Sequence, residues 1–246
     1  MKNVRTIPRI ICLIITLLTS TEEASCTGTI ELTWIPRASY ATISTSSPLS
    51  SSVLGRHHPI VFANETHGFL LGGTTSSHSA TNDFFLYDEA TDQWFDLTDT
   101  SSTFPGTPRS FGYGVVLKEA HHPKAYVGFG ASDTGDRLKD WWEFDMTTHV
   151  WKELTPCPGP GRRHPSVVPV YTTTTGEDGT TTVRWQIHVG LGDGYVGSDQ
   201  FTNWNDYWSY DIDGDEWTQL PNFPGSPRHH PFFFGIGNTS FGQSFV

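Results

Sequence analysis

A block of landmark residues occurs three times along the chain, and this repetition limits the possible folds more than any other feature of the sequence. Each block holds an Asp, then an aromatic residue followed by a second Asp, then a Trp, at the same spacings in every copy. The copies are Asp83, Tyr87-Asp88 and Trp94; Asp140, Phe144-Asp145 and Trp151; and Asp206, Tyr210-Asp211 and Trp217. Because a fixed internal period marks repeated supersecondary units, the chain is predicted to consist of stacked repeats.

Two further elements precede each block. An apolar run ends in glycines, at Gly72-Gly73, Gly128-Phe129-Gly130 and Gly190-Leu191-Gly192. Upstream of it an arginine opens another apolar run, at Arg56, Arg109 and Arg163, and a fourth time at Arg228. Runs of β-branched and aromatic residues between Gly, Pro, Asn and Asp predict strands, so each unit is four short strands. One sheet alone cannot bury both faces, and a Trp at a fixed place gives each sheet an apolar plate to lay against the next.

The ordered pattern of Arg, paired glycines, Asn-Asp, Tyr-Asp and Trp resembles the kelch-repeat family over roughly residues 34–237. The resemblance implies an all-β, kelch-type β-propeller of four-stranded blades around a central axis, similar to the central domain of galactose oxidase. Complete repeats are predicted at 56–108, 109–162 and 163–227, with partial repeats at 27–55 and 228–246. A WD-repeat propeller is a weaker match, because the sequence lacks a Gly-His to Trp-Asp signature.

The copies depart from the pattern in three ways. Only the first has adjacent glycines, so we expect an extra residue or a bulge in the other two. The third carries an insert at 171–182, which predicts a protruding hairpin or a mobile loop. The partial repeats have two explanations. Either the strand at 29–35 completes a blade begun by 228–246 and closes a four-blade ring, or the sequence is a fragment of a larger propeller, which is the explanation we favour.

Residues 1–26 are predicted to be a secretory signal peptide. Three basic residues precede an apolar run at 10–18 and a short polar stretch, and cleavage is expected between residues 20 and 26. The apolar run is shorter than the roughly 20 residues that span a bilayer, so no stable membrane insertion is expected. The propeller domain, 27–246, would then be secreted.

Export would place cysteines and glycosylation sequons in the secretory pathway. One disulfide, between Cys26 and Cys157, is available unless cleavage follows Cys26. Asn64 and Asn238 each open an Asn-x-Ser/Thr sequon and are candidate glycosylation sites.

The charge balance narrows the class of partner. The chain has a formal net charge of −11. Binding to a nucleic-acid backbone needs a basic surface, so a nucleic-acid partner is not expected. The expected partner is a protein or a glycan, and the sequence leaves the oligomeric state open.

Candidate ligand contacts come from two places in the expected propeller. The loops at 74–81, 131–138 and 193–204 should share one face with the inter-blade loops, and the Arg-led segments should open near the axis on that face. Arginine there could hold a carboxylate, and neutral imidazoles could hold a metal; alternatively these side chains only pack between blades. The candidates are Arg56, His57, His58, Arg109, Arg163, His164, Arg228, His229 and His230 at the axis, with Tyr195 and Trp204 in the third long loop.

Other motifs are weaker. Asp211-x-Asp213-x-Asp215 resembles the start of a calcium loop but lacks the distal Glu. Loop carboxylates at 133, 136 and 140, or at 193 and 199, could supply an acid and a base, although such groups are usually solvated. The sequence has no nucleophile elbow, phosphate loop, dinucleotide fingerprint or cysteine-rich zinc pattern.

These observations predict a secreted module that binds a protein or a carbohydrate through its long-loop face, with no cofactor or metal. Two enzymatic alternatives stay open. The resemblance implies a galactose-oxidase-like copper oxidase, which would need Tyr and His ligands and a modified Tyr-Cys pair, but Cys157 has no recognisable Tyr partner. The other alternative is an isomerase or lyase that uses the axial Arg and His residues on an acidic sugar.

Overall fold

The computed structural model describes residues 11–13, 34–38, 55–77, 79–117, 123–197, 200–236 and 243–245. Within these ranges every regular element is a β-strand and none is a helix. The all-β class predicted from the repeated strand patterns is therefore confirmed.

Three antiparallel four-stranded sheets form the body of the molecule, preceded and followed by strand pairs. The first pair is β1 (Ile11–Leu13) with β2 (Trp34–Pro36). The first sheet contains β3 (Ile60–Ala63), β4 (His67–Thr74), β5 (Ala80–Asp88) and β6 (Gln93–Asp96). The second contains β7 (Tyr113–Leu117), β8 (Lys124–Gly128), β9 (Trp141–Asp145) and β10 (Val150–Leu154).

The third sheet has the same order with a hairpin inserted. It contains β11 (Ser166–Thr175) and β12 (Thr181–Gly190), then the hairpin of β13 (Asp193–Val196) and β14 (Gln200–Asn203), then β15 (Tyr207–Asp211) and β16 (Glu216–Leu220). A last pair, β17 (Phe234–Ile236) and β18 (Gln243–Phe245), follows. Among the described residues, β2 of the first partial repeat pairs with β1, which lies within the predicted signal peptide, and the second partial repeat pairs β17 with β18. The two partial repeats therefore do not share a four-stranded sheet there.

The sheets are arranged around their first strands. β3 contacts β7, β7 contacts β11, and β11 contacts β17, so the opening strands of successive units lie side by side. Each sheet runs outward from there in sequence order. This is the arrangement of blades around an axis in a propeller-like fold.

Aromatic side chains fill the spaces between neighbouring sheets. Between the first two sheets, the rings of Phe84 and Phe144 meet edge to face at 5.2 Å. Between the second and third, Trp141 packs against Tyr210 at 6.0 Å. Such pairs add to the stabilisation that burial of the rings already gives.

The landmark Trp of each last strand also joins one unit to the previous one. The indole N–H groups of Trp94, Trp151 and Trp217 donate to the carbonyl oxygens of Ala38, Ser102 and Thr155 at 3.1, 2.9 and 2.7 Å. All three acceptors lie in the segment that precedes the Trp's own sheet. The repeated Trp is therefore both a packing plate and a hydrogen-bond donor between units.

The bulge lies in the first repeat and not in the other two, where the sequence predicts it. The register shift falls between Leu71 and Gly73, in the repeat with adjacent glycines. In the other two repeats the strand ends at the first glycine, Gly128 or Gly190. There the middle residue of Gly-x-Gly takes the positive φ of Gly72, at +61° for Phe129 and +58° for Leu191. No extra residue is needed, so that prediction is wrong.

The insert in the third repeat folds as a protruding hairpin, one of the two predicted forms. β11 and β12 pair continuously out to Thr175 and Thr181. The residues at 174–184 are exposed. The turn is closed by the amide of Gly176, which donates to the carbonyl of Thr180 at 2.8 Å.

Candidate functional site

Four equivalent residues converge where the first strands open. His58, Phe111, His164 and His230 each lie two residues after an arginine of the repeat and have positive φ, at +52°, +63°, +51° and +53°. The amide of Phe111 donates to the carbonyl of His58 at 3.1 Å, and that of His164 donates to Phe111 in the same way at 3.1 Å. We call these four residues the axial cluster.

The rings of the axial cluster contact one another. Phe111 lies 4.3 Å from His58 and 4.9 Å from His164 between ring centroids. His164 stacks on His230 at 3.5 Å, and His58 lies 6.0 Å from His230. The four Arg-led segments therefore lie close together at these residues. Each adjoining histidine lies beside the cluster: His57 bonds His58 at 2.7 Å, and His229 bonds Asn203 at 2.8 Å.

Asp193 organises the buried side of the cluster. Its carboxylate is 1% exposed and accepts hydrogen bonds from Nδ1 of His164 at 2.9 Å and from the guanidinium of Arg163 at 2.8 Å. Burial favours the neutral acid, but these two hydrogen bonds outweigh it and hold the pKa of Asp193 below its usual value. Arg163 also lies over the ring of Phe111 at 5.0 Å.

Two histidines of the cluster favour the neutral form. Burial, then the neighbouring imidazole of His164, lowers the pKa of His58. The same two causes lower the pKa of His230. A neutral imidazole has a nitrogen lone pair available for a ligand or a metal.

A cavity of about 110 Å³ adjoins the cluster. Its lining includes His58, Phe111 and His164 of the cluster, together with Ile60, Tyr113 and neighbouring residues of β3 and β7. The cluster therefore faces open space rather than a filled core.

The landmark arginines have a different role from the histidines. Arg56 and Arg109 bind Asp83 and Asp140 of their own repeats, at 2.9 and 2.8 Å. In the third repeat this place belongs to Arg162, which binds Asp206 at 2.9 Å and is 0% exposed. The structure therefore shifts the predicted landmark by one residue, from Arg163 to Arg162.

A signal in the sequence could have located that arginine. The loops before it read Phe104-Pro-Gly, Cys157-Pro-Gly and Phe223-Pro-Gly, and each begins five residues ahead of Arg109, Arg162 or Arg228. The Nε–H of each arginine donates to a carbonyl two residues upstream, at 3.0 to 3.1 Å. The guanidiniums of Arg109 and Arg228 lie 5.0 Å over the Phe rings. This loop motif aligns Arg162 with the others, because the spacing from Pro-Gly to Arg is constant.

The hairpin of β13 and β14 presents aromatic side chains beside the axial cluster. Tyr195 is 40% exposed and Phe201 is 50% exposed, and their rings meet at 6.2 Å. Arg137, from the preceding long loop, lies over Tyr195 at 4.6 Å. Phe201 lies 6.5 Å from His229. Trp204 differs from the other two, because its Nε1 is buried against Gly194.

Other sequence-predicted sites are accounted for by ordinary contacts. Asp211 pairs with Arg184, and Asp215 accepts hydrogen bonds from Tyr210 and Thr155. Each of these carboxylates therefore has its own partners. In the described part of the chain, the one group of three or more potential metal ligands consists of His58, His164 and His230.

Of the predicted disulfide and glycosylation residues, only some belong to the described part of the chain. Cys157 is a free, buried thiol whose pKa burial raises to about 11, and Cys26 lies outside the described residues. Asn64 lies in the turn between β3 and β4, with Asn238 again outside the described residues. Among the residues described, no helix has the length and apolarity needed to cross a membrane.

Comparison with known proteins supports the fold. No model of a known protein family matches the chain, and no curated protein matches it. The solved structure of YjhT is similar, with a TM-score of 0.53 and 16% sequence identity over 82% of this chain and 59% of that one. The chain thus spans less than two thirds of that structure. At this identity the similarity concerns the fold alone, an all-β, propeller-like set of four-stranded antiparallel sheets.

Proposed function

We propose that the chain is a secreted, kelch-type propeller module that binds a carbohydrate through the hairpin of β13 and β14. The observation that supports this proposal is the pair of exposed rings, Tyr195 and Phe201, on a hairpin next to polar groups. Aromatic faces stack on the C–H groups of sugar rings, while polar neighbours hydrogen-bond the hydroxyls. Arg137, Asn203 and His229 supply such neighbours.

The hairpin is held in place before any ligand arrives. Its base exchanges two backbone hydrogen bonds between Arg163 and Asp193, at 2.8 and 2.9 Å. The amide of Trp204 donates to the carbonyl of Gly192 at 2.9 Å, and its indole packs on Gly194. A preorganised binding loop avoids the entropy loss of ordering on contact, which favours affinity.

The kelch assignment rests on what the repeated residues do. Arg and Asp pair inside each unit, the last glycine meets a neighbouring backbone, and Trp bonds the previous unit. Each landmark therefore has a structural role that recurs from copy to copy. Secretion is proposed from the basic and apolar leader.

The test uses the secreted full chain and a panel of immobilised oligosaccharides. Replacing Tyr195 or Phe201 by Ala should weaken binding about 2- to 12-fold, since ring stacking contributes roughly 0.5–1.5 kcal/mol. The matched control is Phe95→Ala, because Phe95 is 41% exposed but lies on β6. Retention that is equal in the Tyr195, Phe201 and Phe95 variants, or no retention by the wild type, would refute the proposal.

The enzymatic alternatives have less support from the site. The guanidiniums of Arg56 and Arg109 are bound to aspartates, and Arg163 contacts the cluster while bound to Asp193. Cys157, the thiol that a copper oxidase would modify, is 0% exposed in the core between the second and third sheets.

A further inference from the structure

We propose that His58, His164 and His230 form a binding site for one divalent transition-metal ion of the zinc class. Each histidine offers one ligand nitrogen, and these three nitrogens lie within 4.8 Å of one another. The site is separate from the exposed rings of the hairpin, so it goes beyond the carbohydrate-binding proposal.

The spacing of the nitrogens is close to what an ion requires. Three nitrogens bound tetrahedrally at about 2.1 Å stand about 3.4 Å apart. From separations of up to 4.8 Å, the side chains need to approach by at most about 1.4 Å. His58 and His230 are exposed, so their rings have room to make this adjustment.

The third nitrogen is already oriented by its partner. Nδ1 of His164 is bonded to Asp193, which assigns the proton to Nδ1 and leaves the lone pair on Nε2. The side chain of His164 is only 5% exposed. Its Nε2 atom is buried and has no hydrogen-bond partner in the structure. An unpaired buried nitrogen is costly, so Nε2 of His164 is expected to meet a partner such as an ion or a water molecule. A carboxylate behind a histidine is also the usual support of a metal-binding imidazole.

The charges around the site suit a cation bound by neutral imidazoles. Asp193 contributes a buried negative charge beside His164. The guanidinium of Arg163 is bound to the same carboxylate and offsets part of that charge. His57 and His229 are the other titratable neighbours of the three ligands.

The coordination would leave one position open. Phe111 takes the fourth equivalent place in the axial cluster and offers no ligand atom. Three protein ligands and one exchangeable position are typical of zinc sites that bind water or a substrate, whereas structural sites have four protein ligands. A water molecule or an external ligand would therefore complete the tetrahedron.

The experiment titrates Zn²⁺ alone into the chelator-treated full chain, by calorimetry. We expect one ion per chain and, after substitution with Co²⁺, the visible absorption of a tetrahedral nitrogen site. His58→Gln and His230→Gln should each weaken binding at least about tenfold, and Asp193→Asn should weaken it about 10–100-fold. The matched control, His67→Gln, removes an imidazole that bonds Thr66 at 2.9 Å and should not change the affinity.

Two outcomes would overturn the proposal. One is the absence of stoichiometric binding to the wild type; the other is equal affinity in the wild type and both exposed-histidine variants. Because His58 and His230 are exposed, their substitution should not prevent folding, which thermal unfolding checks. Tyr195→Ala should bind Zn²⁺ like the wild type, so failure of the carbohydrate proposal and failure of this one are distinguishable.

Discussion

Single residues explain why the repeat keeps its landmarks. The guanidinium of Arg109 is fully buried, yet it is neutralised by Asp140, which also accepts the indole N–H of Trp142 at 2.7 Å. The same arrangement recurs with Arg162, Asp206 and Trp208. A buried charge without its partner is strongly destabilising, so these pairs must be present together.

Substitution of Asp140 tests this requirement. Asp140→Ala should lower the free energy of unfolding by about 3–5 kcal/mol, because it leaves a buried guanidinium unpaired. Urea denaturation measures the change. Arg184→Ala is the control: Arg184 pairs with Asp211 but is 56% exposed, and its loss should cost under about 1 kcal/mol. Equal losses in the two variants would contradict the interpretation.

At the scale of elements, loops join one repeat to the next. The Pro-Gly loop before Arg162 packs against the long loop of the second repeat, where the amide of Arg162 donates to the carbonyl of Leu138 at 3.2 Å. A Cβ at Gly161 would collide with the backbone oxygen of Arg137. Arg137 in turn lies over Tyr195, so this contact links the core to the proposed binding hairpin.

A methyl group at Gly161 tests that contact. Gly161→Ala should destabilise the fold by about 1–3 kcal/mol, because backbone cannot give way as a side chain can. It should also weaken oligosaccharide binding, since Arg137 must shift. Gly55→Ala is the control, because a Cβ there meets nothing within 4 Å. Thermal unfolding of both variants decides the matter, and an unchanged Gly161→Ala protein would contradict the packing.

For the whole molecule, stability depends on pH through imidazoles that folding partly removes from water. Burial is the largest cause that lowers the pKa values of His58, His149, His188 and His230 below the ordinary 6.5. The unfolded chain therefore binds more protons than the folded one as pH falls below about 6.5. The contribution of these groups is fully present above that pH and is lost as pH falls through the folded-state values.

Acidification tests the sign of this linkage. With metal removed by chelator, the free energy of unfolding should fall between pH 7.5 and 5, as measured by urea denaturation. The double variant His58→Gln, His230→Gln should show a shallower fall, because two of the depressed groups are gone. An identical pH dependence in the two proteins would show that the axial cluster does not contribute.

Most of the architecture could be predicted from the sequence, because the repeat is a local and periodic signal. The spacing from Asp83 to Trp94 and its two copies identifies four-stranded units without reference to long-range contacts. The insert at 171–182 follows from the same comparison, but only the structure shows that it is a hairpin and not a mobile loop. The misplaced landmark at Arg163 has a local cause too: two arginines are adjacent there, and only the spacing from the Pro-Gly loop distinguishes them.

The candidate site depended on the tertiary structure. From the sequence, four Arg-led segments are expected to approach an axis, since equivalent strands of a propeller occupy equivalent places. Only the folded structure decided that His58 and His230 enter the cluster while His57 and His229 lie beside it, because the positive-φ turn orients the second residue after the arginine. It also decided that Asp193, 29 residues from His164 along the chain, orients that imidazole. Contacts across the axis join distant segments and have no local periodic signal.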